Sequence, residues 1–86
     1  MSRTMERAKI KAIKSIANLL KVEGSQKLKF EGFDADCCDT RISEVYLSGK
    51  CVRVKHKVDY MGEVHDDPIN VLSVATVLMI WEIISQ

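Results

Sequence analysis

The chain has 86 residues, of which 47% are hydrophobic and 29% are charged, and its formal net charge is +1. This length fits a single domain, residues 1–86, and the hydrophobic content excludes a disordered chain. The N-terminal residues Met-Ser-Arg-Thr-Met-Glu are charged and lack an apolar segment, so we expect no secretory signal and a cytoplasmic location.

The charges are unevenly distributed along the chain. Residues 1–22 contain six basic residues and one acid, a net charge of +5. Residues 59–86 contain five acids and no Lys or Arg, a net charge of −5. The pattern predicts a basic end and an acidic end, which either attract a partner or neutralise each other within the fold.

The cysteines do not have the pattern of a disulfide framework. Their number is three, and two of them, Cys37 and Cys38, are adjacent, so we expect reduced thiols. Together with Cys51, His56 and His65 they offer soft metal ligands, but no two of them have the spacing of a zinc site. We therefore predict neither a metal nor a cofactor.

Residues 4–22 have the periodicity of an amphipathic helix, and Gly24 follows as a stop signal. Its apolar face is formed by Met5, Ala12, Ile13, Ile16, Leu19 and Leu20. The opposite face carries a basic stripe, a candidate surface for phosphates or an acidic protein: Arg3, Arg7, Lys11, Lys14 and Lys21. A solvated helix face is the alternative interpretation of the same stripe.

Three strands are predicted next, at Gln26–Glu31, Arg41–Leu47 and Cys51–Tyr60, with a hairpin turn at residues 48–50. Alternation in the second strand places Ser43, Val45 and Leu47 on one face, and Ile42, Glu44 and Tyr46 on the other. In the third strand Val52, Val54, His56, Val58 and Tyr60 share one face. Its other face adds basic-surface candidates: Arg53, Lys55 and Lys57. Residues 61–70 are acidic and polar and predict a connection.

The last element is a helix over Val74–Ser85 with Ser73 as its N-cap, too short for a membrane span. It carries two apolar stripes. We expect the first to face the core: Val74, Val77, Leu78, Trp81 and Ile84. We expect the second to remain exposed as a candidate protein-interaction site: Thr76, Met79, Ile80 and Ile83.

These elements predict an α+β fold in the order α-β-β-β-α. Its sheet would be a three-stranded antiparallel meander with both helices packed on one face, because a small sheet needs that cover to be stable. Such an arrangement leaves little concavity for a catalytic pocket, and no nucleophile motif is present. An enzyme is therefore not expected.

The apolar patterns support a resemblance. They are Leu28-Lys29-Phe30, the hairpin I-x-x-V-Y-L-x-G-x-x-V-x-V from Ile42 to Val54, and L-S-x-x-T-V-L-x-I from Leu72 to Ile80. This combination resembles small uncharacterised α-β-β-β-α proteins of bacteria, phages and mobile elements. The same element order occurs in double-stranded-RNA-binding domains and in some phage anti-CRISPR inhibitors.

The RNA-binding motif itself is not present. That family has a Gly-Pro-x-His loop and a Lys-rich start to its last helix, whereas this chain has Phe33–Cys38 and the acids Asp66 and Asp67 there. Both differences place acid where phosphate would lie.

Two functions remain open from the sequence. The first is a non-enzymatic interaction protein that binds another protein, or a second copy of itself, through the second apolar stripe. In the setting that the resemblance implies, it would inhibit a host complex. The alternative is a nucleic-acid-binding domain that uses the basic helix and the basic sheet face. Neither hypothesis involves a membrane.

Overall fold

The computed structural model describes residues 3–28, 34–35, 38–58 and 63–86. Helix α1 spans Arg3–Glu23, and helix α2 spans Val74–Ile84. The described residues between them form the strands β1 (Gln26–Lys27), β2 (Asp34–Ala35), β3 (Cys38–Ser48), β4 (Cys51–Val58) and β5 (Glu63–Pro68). A 3-10 turn, Ile69–Val71, leads from β5 toward α2. Cys37 and the predicted strand ends at residues 29–31 and 59–60 lie outside the described residues.

The α+β class and both helices are confirmed, but the sheet is larger than predicted. Its strands follow the order β1-β3-β4-β5 with every neighbouring pair antiparallel, and β2 pairs with the start of β3. The extra strand, β5, occupies residues that we predicted to be a polar connection. Acidic residues have low strand propensity, so the composition of this segment did not identify β5 as a strand.

Strand β5 is held by cross-strand pairs with the basic strand β4. Asp66 lies opposite Lys55 and accepts a bond from Arg53 Nε at 2.9 Å. On the other face, Asp67 lies 2.9 Å from His56 Nε2. The ion pair of Arg53 with Asp66 and the hydrogen bond between His56 and Asp67 stabilise the pairing, which explains how an acidic segment forms a strand here.

Strand β3 contains an irregularity at Ser43 that changes which side chains face the core. The register passes from Ile42, opposite His56, directly to Glu44, opposite Lys55. The extra residue of this β-bulge brings Ile42 and Val45 onto the same face, where both are buried. Our prediction that Ile42 shares a face with Glu44 and Tyr46 was therefore wrong.

Both helices cover one face of the sheet and enclose a single core. The residues of this core share near-complete burial: Ala12, Ile16 and Leu20 of α1, Ile42, Val45, Val52 and Val54 of the sheet, Ile69 of the 3-10 turn, and Val77 and Ile80 of α2. Neither of the two described helices covers the opposite face of the sheet, which carries polar residues of β3, β4 and β5.

The residues predicted to end α1, to form the hairpin turn and to cap α2 have these roles in the structure. Gly24 adopts a φ of 79° and its N–H donates to the carbonyl of Leu20 at 2.8 Å, which ends α1. Gly49, with a φ of 64°, forms the turn between β3 and β4. The Ser73 hydroxyl accepts a hydrogen bond from the Thr76 N–H at 3.2 Å, so Ser73 is the N-cap of α2.

The two apolar stripes of α2 do not divide into a core face and an exposed face as we predicted. Ile80 has no exposed surface and Thr76 is 7% exposed, although both belong to the stripe predicted to be exposed. Leu78, assigned to the core stripe, is 38% exposed. The buried Thr76 hydroxyl is satisfied by Ser73 Oγ at 2.8 Å. The helix therefore lies on the core with a rotation different from the expected one.

Candidate protein-interaction surface

The predicted interaction site on α2 is not a continuous exposed patch. Thr76 and Ile80 are in the core, and Met79 and Ile83 are half-buried against it. Two apolar stripes of similar strength gave no basis in the sequence for choosing which one would be buried. A partner surface must therefore be sought elsewhere.

The predicted basic sheet face exists, but much of its charge is neutralised locally. Arg53 binds Asp66 through its Nε atom, and its Nη2 atom donates to the Asp66 backbone carbonyl at 2.8 Å. Lys55 Nζ lies 3.5 Å from Glu44 Oε1 and 5.4 Å from the centre of the Tyr46 ring. Lys57 is exposed. Internal pairing leaves this face a weaker attractant for phosphate than its composition suggested.

Tyr46, Asp66 and Arg53 form a hydrogen-bonded network across the open face. The Tyr46 hydroxyl donates to Asp66 Oδ2. This bond lowers the pKa of Asp66, with a further contribution from Arg53. The same bond raises the pKa of Tyr46. The separate hydrogen bond from Arg53 to Asp66 raises the pKa of Arg53. All three groups are stabilised in the protonation states that they have at neutral pH.

The network predicts how stability depends on pH. Because the folded-state pKa of Asp66 is lowered, its contribution is present above the ordinary value of 3.8 and is lost as the pH falls through the lowered value. The contribution of Tyr46 is present below 10.0 and is lost as the pH rises through the raised value. We expect Tyr46→Phe to flatten both limbs of the stability profile, and Asp66→Asn to do the same. Urea denaturation across the pH range measures this; unchanged limbs in both variants would contradict it.

A second basic surface lies on the solvent side of α1. Its exposed residues define what we call the α1 face: Arg7, Ile10, Lys11, Lys14 and Lys21. No acidic residue occurs between residues 7 and 21. Arg3, the remaining residue of the predicted stripe, is the first residue of α1. Because α1 covers the other side of the sheet from Arg53 and Lys55, the two basic surfaces do not merge.

An exposed isoleucine lies within this basic face. Ile10 is 52% exposed and lies one helical turn from Arg7 and from Lys14. Sequence reasoning missed it, because Ile10 was not assigned to either face of the helix. The available signal was its position at the border of the two faces, three residues before Ile13 and four before Lys14.

An apolar groove runs along one side of the α1 face, where α1 meets the end of the β3–β4 hairpin. Its volume is about 500 Å³, and it is open to solvent. The apolar residues of its lining are Ile13, Ala17, Val52 and Ile69. Its polar lining residues are Lys14, Ser48, Lys50, Cys51 and Asn70. We call this feature the groove; the residues that the structure describes around it include two lysines and no acid.

A smaller cleft lies on the other side of α1, against α2. Small side chains on α1, at Ala8, Ala12 and Ser15, leave this space beside Leu78 and Trp81. Lys11 of the α1 face also lines it. The basic helix is thus flanked by apolar surface on both sides, an arrangement that only the packing of α1 against its neighbours reveals.

The other candidate ligands form no metal site in the described residues. His56 and His65 stack with their ring centres 5.6 Å apart, and Asp67 bonds to His56. No group of three or more His, Cys, Asp or Glu in the ranges given above has the geometry to hold a metal ion. Cys51 is an exposed free thiol at the groove.

No protein family, characterised protein or solved structure matches this chain. Among the described residues, neither helix is long and apolar enough to cross a membrane. The function of the chain is therefore inferred from its fold and surfaces.

Proposed function

We propose that this chain is a small interaction protein without enzymatic activity, and that it binds an acidic protein partner through the α1 face. The observation that carries the proposal is the half-exposed Ile10 among Arg7, Lys11 and Lys14. Protein interfaces bury apolar and charged side chains together, with the apolar contacts near their centre. The site on α2 that the sequence suggested is replaced by this one.

The charge of the α1 face favours a partner that is different from the chain itself. In a twofold dimer the same patch meets its own copy, so Arg7, Lys11 and Lys14 would face like charges. An acidic partner instead attracts these residues and accelerates the encounter. The resemblance to phage and mobile-element proteins extends the proposal to inhibition of a host complex, whose acidic surface the chain would cover.

A nucleic acid is the competing partner of the same face. Trp81 lies half-buried beside Lys11, so the fold supplies an aromatic ring that the sequence of α1 lacks. Base stacking on such a ring beside basic residues is typical of single-strand binding. However, an exposed isoleucine contributes nothing to phosphate binding, and the groove with its apolar floor would remain unused. The protein partner therefore accounts for more of the surface.

Selection of peptides tests the proposal. A library of random peptides displayed on phage is panned against the full chain, and the selected peptides are synthesised. We expect them to combine Asp or Glu with apolar residues, and we expect Lys11→Glu to weaken their binding by about tenfold or more. Ile10→Ser should weaken binding as well, since it removes the apolar contact.

Lys27→Glu is the matched control, because Lys27 is also exposed but belongs to β1. It should leave binding unchanged, and each variant is checked for native folding by circular dichroism. Selected peptides without acidic enrichment, or binding that Lys11→Glu does not weaken, would refute the proposal. Tight binding of oligo(dT) that depends on Lys11 but not on Ile10 would assign the face to nucleic acid.

A further inference from the structure

We infer that the groove beside α1 receives the apolar part of the acidic partner segment, with the Lys14 and Lys50 ammonium groups binding its carboxylates. This inference rests on the proposed function and specifies where the partner lies. The groove has an apolar floor from three parts of the fold: Ile13 and Ala17 of α1, Val52 of β4, and Ile69 of the 3-10 turn.

The positive charges at the groove favour an occupant with negative charge. Lys14 and Lys50 are exposed and line the groove, and no acid is found among the described residues of its lining. No ion pair of either lysine occurs within the part of the chain that the structure describes. Two ammonium groups beside an apolar surface, neither paired with an acid among the described residues, complement a segment in which Asp or Glu flanks apolar residues.

A neighbouring lysine, Lys9, forms a hydrogen bond within the protein. Lys9 Nζ donates to the backbone carbonyl of Asn70 at 2.7 Å and links α1 to the turn that forms one end of the groove. This bond holds the wall that includes Ile69 and Asn70 against the helix. The groove is therefore built from elements that are fixed to one another, as expected of a surface that is formed before the partner arrives.

The openness of the groove favours a segment of a protein over a small molecule. Small-molecule sites typically bury about 70–90% of the ligand surface. This groove opens to solvent along α1 and covers its occupant on one side. A segment of a folded partner keeps its other side covered by its own protein, so an open groove is sufficient for it.

The position of Cys51 provides a direct test of occupancy. Cys51 is exposed and lines the groove, so the reactivity of its thiol reports whether the groove is filled. Substitutions Cys37→Ser and Cys38→Ser leave Cys51 as the remaining thiol. N-ethylmaleimide is then added with and without a saturating acidic peptide from the selection described above. We expect the alkylation rate to fall in proportion to the unbound fraction of the chain.

A bulky side chain placed in the groove should prevent the peptide from binding there. Ser48→Trp places a bulky side chain at the exposed groove residue Ser48, and we expect it to weaken binding by about tenfold or more. Ser25→Trp is the matched control, since Ser25 is exposed and outside the groove lining. It should leave binding unchanged, and thermal unfolding verifies that both variants fold.

The outcomes separate the two proposals. If the peptide binds and depends on Lys11, but Cys51 is alkylated at the same rate with and without the peptide and Ser48→Trp does not weaken binding, the α1 face binds the partner and the groove does not. The inference is then overturned and the proposed function stands. If no acidic peptide binds, both are overturned. Protection of Cys51 by the acidic peptide, with no protection by a peptide whose acids are replaced by Lys, supports the inference.

Discussion

Ile80→Ala is expected to destabilise the fold by about 2–5 kcal/mol, the usual cost of truncating a buried isoleucine. Ile80 has no exposed surface and belongs to the same core as Ile16 and Val54. The truncation removes apolar contacts within the core that both helices and the sheet share, and the surrounding structure fills the resulting cavity only in part. Since small domains have a total stability of about 5–15 kcal/mol, this is a large fraction of it.

Leu78→Ala is the matched control for this prediction. It removes a side chain of similar size from the same helix, but Leu78 is 38% exposed and lies in the cleft against α1. We expect a smaller loss, about 1 kcal/mol, because less apolar surface is buried there. Urea denaturation followed by circular dichroism measures both values. If Leu78→Ala proved the more costly of the two, α2 would have the rotation that the sequence suggested.

Ile69→Ala is expected to have an effect of similar size, about 2–5 kcal/mol. Ile69 is 2% exposed and anchors the 3-10 turn between β5 and α2 to the core. Its side chain also forms part of the groove floor. Loss of this anchor should destabilise β5 and the turn together, since the turn directly follows β5 in the chain.

Val71→Ala provides the comparison within the same turn. Val71 is 64% exposed, so truncation should change stability by less than about 0.5 kcal/mol. Hydrogen exchange of the β5 amides adds a local measurement: Ile69→Ala should accelerate it beyond what global unfolding explains, and Val71→Ala should not. Equal effects of the two substitutions would mean that the turn is not fixed by Ile69.

For the candidate site, the sequence identified the charges but not the surface that they form. Arg7, Lys11, Lys14 and Lys21 were recognised as a basic stripe, and all four are exposed on α1. Their apolar surroundings were not predictable. The groove combines α1 with residues of β4 and of the 3-10 turn, and the residues it joins are distant in the sequence. Local periodicity contains no information about such contacts.

On the open sheet face, the sequence led us to overestimate the free positive charge. Composition suggested a basic surface with Arg53, Lys55 and Lys57. The acidic strand β5 then pairs with β4 and places Asp66 against Arg53, which neutralises charge that a reading of β4 alone counts as free. The partner strand was missed, because a strand of acids lacks the β-branched and aromatic pattern that identifies strands.

The sequence by itself determined the elements whose signals are local: the amphipathic helix α1 with its stop at Gly24, the β3–β4 hairpin with Gly49, and α2 with its cap at Ser73. Helix periodicity, caps and turn residues act over a few positions and are visible in one stretch of chain. The tertiary structure alone decided the pairing of β5, the bulge at Ser43 and the rotation of α2. Each of these depends on contacts between distant segments, which are selected by the packing of the whole core.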